Sequence, residues 1–445
     1  MRLSRDNRGI LANWWFTVDK VLAVAILVLI ATGVVLSLAA SPPVAIKRGL
    51  GAYYYVERQA LFAVLAVVIM LSVSLLSPLG VRRLALAAGV ALFLMLVAVL
   101  FLGREVNGAI RWIYLAGHSL QPSEFYKPVF AVSLAWLFTL ARERHDRTAL
   151  VLAVALYLTS AALLLAEPDV GQTLLLSLIW GALFVLAGYA LKWAMGLAGL
   201  GLIGLAAAYV SFAHVQSRID RFINPGAGDS YQTDRALQSF IEGGFFGRGP
   251  GEGTIKSVLP DAHTDFIFAV IAEEYGILAC LVLLGLYAFI VLRALTRVWD
   301  EPDSFVRNAV IGLSLLFCLQ GVINMAVNVG LLPAKGMTLP FISAGGSSTL
   351  AMGLTMGMIL ALTRWRPERA NLKKPTFLST PDLSQSAIND YMMPDGAAMG
   401  VPAAASAGMP AALSAAAAAA NPSAGSAAAG GDMPELAQTT GPVNQ

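Results

Sequence analysis

The stretch "LPDAHTDFIFAVIAEEYG", residues 259–276, carries Asp261, His263, Asp265, Glu273 and Glu274 into what otherwise reads as the start of a strongly apolar helix. Ionisable groups are expensive in hydrocarbon, so their presence calls for pairing or for chemistry. Carboxylates at the lip of a bilayer are suited to taking or giving a proton at a reacting group. If the helix begins at Asp265, about 100° per residue carries Glu273 about 80° round and Glu274 to roughly the opposite face. The two glutamates therefore cannot both share Asp265's face. The plain alternative is capping by Thr264 or Asp265, with the acids favourably placed on the helix dipole. Capping accounts for one carboxylate and leaves the deeper pair unexplained.

Four further constellations stand out. "NGAIRWIYLAGHSLQPSEFYKP", residues 107–128, places Arg111, Glu124 and Lys127 in a Gly- and Pro-punctuated loop before an apolar run. Arg111 and Lys127 can snorkel to phosphates beside the interfacial anchors Trp112 and Tyr114. They can equally grip an anionic lipid-linked head group, with Glu124 fixing one cation. "EPDVGQ", residues 167–172, marks a turn in which Asp169 suits the cap of the next helix. "EGGFFGRGPGEG", residues 242–253, offers close backbone approach to an anion with Arg248 beside it, or a flexible turn. It lacks the strand–turn–helix setting of a nucleotide fingerprint. "NVGLLPAKGMTLPFISAGGSS", residues 328–348, interrupts an apolar region with Pro and Gly. Broken backbone at such depth survives only where protein buries it or it lines a cavity. Lys335 there is a candidate for an anionic group, and Ser347 or Ser348 can cap the last helix.

The elements that must position these groups are membrane helices. The chain of 445 residues is 57% hydrophobic and 13% charged, with mean hydropathy +0.70, against about a quarter charged in soluble domains. Ten apolar runs fall near 21–40, 59–77, 84–102, 128–141, 149–166, 172–190, 194–213, 266–293, 309–332 and 347–363. Apart from the short fourth and the long eighth, their length suits a crossing of the hydrocarbon core, and no alternating barrel pattern appears. The expected fold is an all-α integral membrane protein of about ten transmembrane helices, with a large loop, residues 214–264, between helices 7 and 8. Residues 231–241 predict an amphipathic helix within that loop, with Tyr231, Leu237, Phe240 and Ile241 on one face.

Residues 1–20 read as a cytoplasmic tail leading to a signal anchor. Arg82, Arg83, Arg142, Arg144, Arg147, Lys192, Arg293, Arg297 and Arg307 gather in alternate connections, which by the positive-inside rule puts both termini in the cytoplasm. Residues 21–365 form the membrane body. The Ala/Gly/Pro-rich segment 366–445 cannot bury enough apolar surface to offset its ordering entropy and reads as a disordered tail. Cys280 and Cys318 lie within spans, which argues against a disulfide. A net charge of +3 is too small to suggest a nucleic-acid partner.

The blocks "NGAIRWI…QPSEFYK", "EPDVGQ", "GGFFGRGPGEG", "LPDAHTDFIF" and "GLLPAKGMTLPFISAGGSS" resemble, in order, those of the SEDS family (shape, elongation, division and sporulation). The likeness covers residues 15–365, and the tails lean toward the division branch over the elongation branch. Asp261, Tyr126, Glu167 and Ala344 depart from the family's commoner residues, and none removes the key carboxylate, which maps onto Asp265. The resemblance implies a ten-helix inner-membrane enzyme that polymerises lipid II into glycan strands on the periplasmic side, at the division septum. Its implied partners are a class B penicillin-binding protein that cross-links the peptides and other division membrane proteins, in contact with membrane lipids. Asp265 is then the catalytic base, or the ligand that positions a divalent cation (Mg or Mn). Arg111, Glu124, Lys127, His263, Lys335, Ser343, Gly345, Gly346 and Ser347 become substrate-binding candidates, supported by Asp169, Arg248, Glu273 and Glu274. The rival expectations are a lipid II flippase and a non-catalytic scaffold that activates the penicillin-binding protein.

Overall fold

Short polar residues and prolines start the long helices. In the computed structural model, which describes residues 9–106, 109–115, 118–211, 216, 220, 231–332 and 336–365, a short helix α1 (Ile10–Thr17) precedes α2 (Lys20–Lys47), capped by Asp19. Then come α3 (Tyr54–Ser74) and α4 (Pro78–Leu102), which begins with Ser77 accepting from the Gly80 amide at 3.1 Å and Pro78 at the first helical position. Proline fits there because that amide has no partner within the helix. A β-meander follows: β1 (Arg104–Val106), β2 (Ala109–Leu115) and β3 (His118–Leu120), antiparallel in that order. The all-helical expectation missed this sheet, because three strands of three to seven residues leave too short an alternation to read.

Helices α5 (Pro122–Glu143), α6 (Arg147–Ala166), α7 (Val170–Leu186) and α8 (Leu191–Ser211) continue the bundle. Asp146 and Asp169 cap α6 and α7 by accepting from Thr148 and Gln172 amides at 2.8 and 3.2 Å. Beyond lie α9 (Tyr231–Gly243), a 3₁₀ turn (Ile255–Ser257), α10 (Ile267–Val298), α11 (Ser304–Asn328) and α12 (Gly346–Leu362). Each of the ten apolar runs coincides with a helix. Six of the described helices are long and apolar enough to cross a membrane, and α7 and α12 are apolar but shorter. The chain is a multi-pass membrane protein.

The centre of the bundle is α5, α11 and α12, whose residues are buried almost throughout, while α2, α3, α4 and α6 turn Val24, Leu61, Val64, Leu94 and Val151 outward. Outward apolar side chains on a membrane helix face hydrocarbon and need no further partner. Two helix starts differ from expectation. Phe266 stands at the N-cap of α10 and Gly345 at that of α12, both without a side-chain cap, so Thr264, Asp265, Ser347 and Ser348 do not serve as N-caps. The face of α9 also differs. Ala236, Ser239 and Gly243 pack inward, Phe240 meets Phe268 at 5.8 Å, and Ile241 is 80% exposed. A side chain at Gly243 would overlap the Ala272 carbonyl, so small residues set the approach of α9 to α10. The segment 366–445 and Lys335 lie outside the described residues.

Candidate functional site

Helix α10 is broken at Gly276, whose φ of 80° and ψ of 174° leave the helical region. The break strands the carbonyls of Glu273 and Glu274, which accept from Arg248 and Gly249 amides at 2.9 and 3.0 Å. It also frees the amides of Ile277 and Leu278, which donate to Gly244 and Phe245 carbonyls at 2.9 and 3.3 Å. The Gly-rich segment is thus spliced into the helix, satisfying the groups that the break exposes. A side chain on Gly247 or Gly276 would overlap the opposing backbone, and both glycines hold positive φ.

The same splice explains the deeper carboxylates. Glu273 is fully buried and accepts from the amides of Thr254, Ile255 and Lys256 at 2.6, 2.8 and 3.1 Å. Glu274 accepts from the Gly251 amide at 3.1 Å and pairs with the Lys256 ammonium. Arg248 pairs with Glu242 and donates to Thr254 Oγ1 at 3.1 Å. These groups tie a loop together. The anion-cradle reading of residues 242–253 falls with them, since the amides that would face an anion already have partners.

Asp265 is different. It ends a run of turns in which the amides of Thr264, Asp265 and Phe266 all point at the Asp261 carbonyl (3.0, 3.1 and 3.3 Å). Its own carbonyl accepts from Asn324 and Asn328 Nδ2, both at 2.9 Å. Asn328 Oδ1 accepts the Ala269 amide at 3.0 Å, and Asn324 also donates to the Met337 carbonyl at 2.7 Å. Asp265's backbone is therefore clamped while its carboxyl group makes no hydrogen bond among the described residues. Burial, seconded by the Asp261 charge and opposed by Arg111, pushes this carboxyl from its ordinary value up to about 7.

Arg111, on β2, reaches the same place. It donates from Nη2 to the Pro168 carbonyl at 2.6 Å, and its Nε lies 3.3 Å from Asp169 Oδ2. A Cβ added to Gly336, which holds φ of 64°, would sit 3.6 Å from Asp265 Oδ2 and 4.0 Å from Arg111 Nη1. The acid and the guanidinium flank that glycine.

Lys127 is fully buried, donating at 2.8 Å to Glu124 Oε1 and at 2.8 Å to Gln320 Oε1. Gln172 Nε2 also donates to Glu124 Oε1 at 2.8 Å, while its amide caps onto Asp169. A polar chain runs from Lys127 through Glu124, Gln172 and Asp169 to Arg111. Lys127's charge is thus compensated by Glu124 deep inside the protein, whereas Arg111, paired with Asp169, stays partly exposed.

The other candidates brace the turn. Ser343 Oγ donates to the Thr264 carbonyl at 2.5 Å and accepts the Leu339 amide at 2.7 Å, and the Ala344 amide donates to the His263 carbonyl at 2.9 Å. Ser347 Oγ accepts the Gln121 amide at 3.2 Å. Gly346 lies against the Phe62 ring, where a side chain would collide, and Gly345 starts α12. His263 is buried with its ring 4.7 Å from Tyr55. Burial first, then the Arg48 charge against Asp261's opposing pull, lowers it to about 4, so it is neutral near pH 7.

Sequence reasoning missed Asn324 and Asn328, which carry the clamp, and Gln320, which holds Lys127. Their signal was present: three amides at i, i+4 and i+8 form one polar stripe along an otherwise apolar helix. No group of three or more His, Cys, Asp or Glu suited to a metal occurs among the described residues. Beside Asp265 stand an arginine and the exposed Asp261, which do not make a cation's donor set.

The chain is similar to known proteins along most of its length. The probable peptidoglycan glycosyltransferase FtsW of Caulobacter vibrioides is 44% identical over 365 residues, 82% of this chain and 94% of that protein. Its counterpart in Trichlorobacter lovleyi is 34% identical over 78% of this chain and 93% of its own length. A chain from a peptidoglycan synthase complex, solved for the structural coordination of polymerization and crosslinking, superposes with a TM-score of 0.66 at 28% identity, covering 78% of this chain and 98% of that one. The rod shape determining protein RodA of Thermus thermophilus gives 0.59 at 26% identity, over 79% and 99%. Residues 20–367 match the model of the FtsW, RodA and SpoVE family of cell cycle proteins, and the chain belongs to that family.

Proposed function

We propose that this chain is a peptidoglycan glycosyltransferase that polymerises lipid II into glycan strands during cell division. The names of its relatives support the reaction class. The observation that carries the site is the Asp265 carboxyl group, held by its backbone beside Arg111 and, among the described residues, left without a hydrogen-bond partner. On this reading the acceptor sugar's hydroxyl attacks the anomeric carbon of the donor while the polyprenyl diphosphate leaves. Asp265 takes the hydroxyl proton, and an affinity near neutrality suits a general base. Arg111, joined by Lys335, faces the negative charge that grows on the leaving diphosphate. Lys127 acts at one remove, holding Glu124 and Gln320 in place. A single displacement on an α-linked donor gives a β-linked product with no covalent sugar–enzyme intermediate.

The sheet-bearing end of the bundle faces the periplasm and both termini the cytoplasm, an orientation that the distribution of Lys and Arg supports. A class B penicillin-binding protein is the partner, a reading supported by the similarity to a chain of a peptidoglycan synthase complex. A flippase would need ionisable groups through the depth of the bundle. Below Lys127 the buried residues of α5, from Pro128 to Ala141, include polar Ser133 and Thr139 but no ionisable side chain, which argues against it.

The test is polymerisation of lipid II by the purified complex with a transpeptidase inhibitor present, wild type against Asp265→Asn. Glycan chains formed equally by both would remove the base. Lipid II crossing liposomes with no polymer from either protein would instead support transport.

A further inference from the structure

Glu167 joins α6 to α7 beside Asp169 and is 1% exposed, yet among the described residues neither of its carboxyl oxygens has a hydrogen-bond partner. Asp169 Oδ2, Glu124 Oε2 and Gln172 Oε1 are likewise buried without hydrogen bonds among the described residues, while an orphan donor, Arg111 Nε, lies 3.3 Å from Asp169 Oδ2. These acceptor atoms outnumber that donor, so with the carboxyl groups ionised the cluster is short of donors. Its charges give the same answer. From α5 come Glu124 and Lys127, which pair; from β2 comes Arg111, which pairs with Asp169 on the α7 side; Gln172 and Gln320 are neutral. Glu167 is the carboxyl group left over. A buried, unpaired carboxylate is costly enough that the group takes a proton instead.

We propose that Glu167 works as a neutral carboxylic acid, and that it thereby keeps Arg111 aimed at Asp265. The proton supplies a donor to a cluster of orphan acceptors. It also removes a negative charge that would otherwise compete for the Arg111 guanidinium, whose Nη1 faces the space beside Gly336 and Asp265. Burial foremost, then the Asp169 charge, against the pull of Arg111, moves Glu167 up to about 8, in keeping with a protonated group at neutral pH. Asp169 is raised too, chiefly by burial, against the opposing pull of Arg111. Glu167 is a positioning residue: it acts through Arg111 and touches no reacting atom.

The role in Arg111 placement rests on the glycosyltransferase reading; the proton does not. The first measurement is therefore infrared difference spectroscopy of the purified protein, wild type minus Glu167→Gln, at neutral pH. An un-ionised carboxyl C=O band is expected and should fade as pH rises through about 8. Its absence would overturn the proposal even if no polymerisation assay works. The second is lipid II polymerisation by the complex from about pH 6 to about pH 9.5, where general acid–base groups show as limbs of a bell. Glu167→Gln, an uncharged donor of the same shape, should keep activity within about twofold and lose the alkaline limb, while Glu167→Leu falls about tenfold or more. Glutamine as damaging as leucine, with both variants melting like wild type, would show that the carboxylate form is the one needed. If wild type itself makes no polymer, the assigned reaction fails and the infrared band still decides the proton.

Discussion

Two aspartates at opposite ends of the bundle show how one side chain is put to different uses. Asp19 caps α2, accepting the Val21 and Leu22 amides at 3.0 and 3.1 Å, and pairs with Arg293 and Arg297 at the far end of α10. Burial alone would raise its pKa, but hydrogen bonds from Arg297, the Leu22 amide and Arg293 outweigh that and lower it. Asp265, at the near end of the same helix, is clamped through its backbone, its carboxyl group has no hydrogen-bond partner among the described residues, and it is raised. Asp19 is electrostatically saturated and holds the helix ends together. Asp265 stores an unmet demand for a proton or a partner, which is what a reacting group needs. Glu273, only two turns from Asp265, belongs with Asp19: three backbone amides fill it. Hydrogen-bond saturation, not proximity in sequence, separates the structural acids from the chemical one.

The sharpest way to break the contrast is to neutralise Asp265. Asp265→Asn should cut polymerisation by about 10²- to 10⁴-fold, the range for a lost general base, and leave the thermal melt in detergent nearly unchanged. A parallel fall in melting temperature would assign Asp265 to the structural class. Glu273→Leu should do the reverse. It strands three buried amides, each worth about 1–3 kcal/mol when unsatisfied, so the melt should drop steeply and residues 251–257 should become open to proteolysis. A stable Glu273→Leu protein would undo the splice argument.

Asn324→Leu removes one of the two side chains that hold Asp265's backbone. About a tenfold loss in turnover, or about 1.4 kcal/mol, is expected with a modest loss of stability; unchanged turnover would show that Asn328 suffices. The gentlest test compares melting temperature against pH. Asp19, lowered below its ordinary 3.8, contributes stability that is present above that value and lost as pH falls through its folded pKa. Asp265, raised from 3.8 to about 7, binds more protons folded than unfolded between those values, so its contribution declines as pH rises across that window. Asp19→Asn should flatten the acid limb and Asp265→Asn the slope toward neutrality. Identical pH profiles for the two variants would erase the distinction between the ends.

Much of the molecule was legible in its sequence. Apolar runs of membrane length fixed the ten long helices, and the cap residues Asp19, Ser77, Asp146, Asp169 and Asp303 mark where five of them begin. Asp265 stood out by type and position, and Arg111 by being a cation in a punctuated loop. The roles of their neighbours were misread where a partner lay far along the chain. Ser343 and Ser347 looked like ligand contacts, and their hydroxyls turned out to tie loops together. Glu273 and Glu274 looked functional because the loop that consumes them lies 17 to 25 residues upstream.

The sequence by itself determined the membrane class, the helix count and the residue types available at the mouth, because burial in hydrocarbon and local capping act over one span or one turn. Only the tertiary structure decided which polar groups were already spent: Glu273 on a loop, Lys127 on Glu124 and Gln320, the Asp265 carboxyl group on none of the described residues. Hydrogen bonds saturate, and a donor or acceptor from a distant segment decides whether a carboxyl group is a strut or a base. No reading of the flanking residues contains that partner.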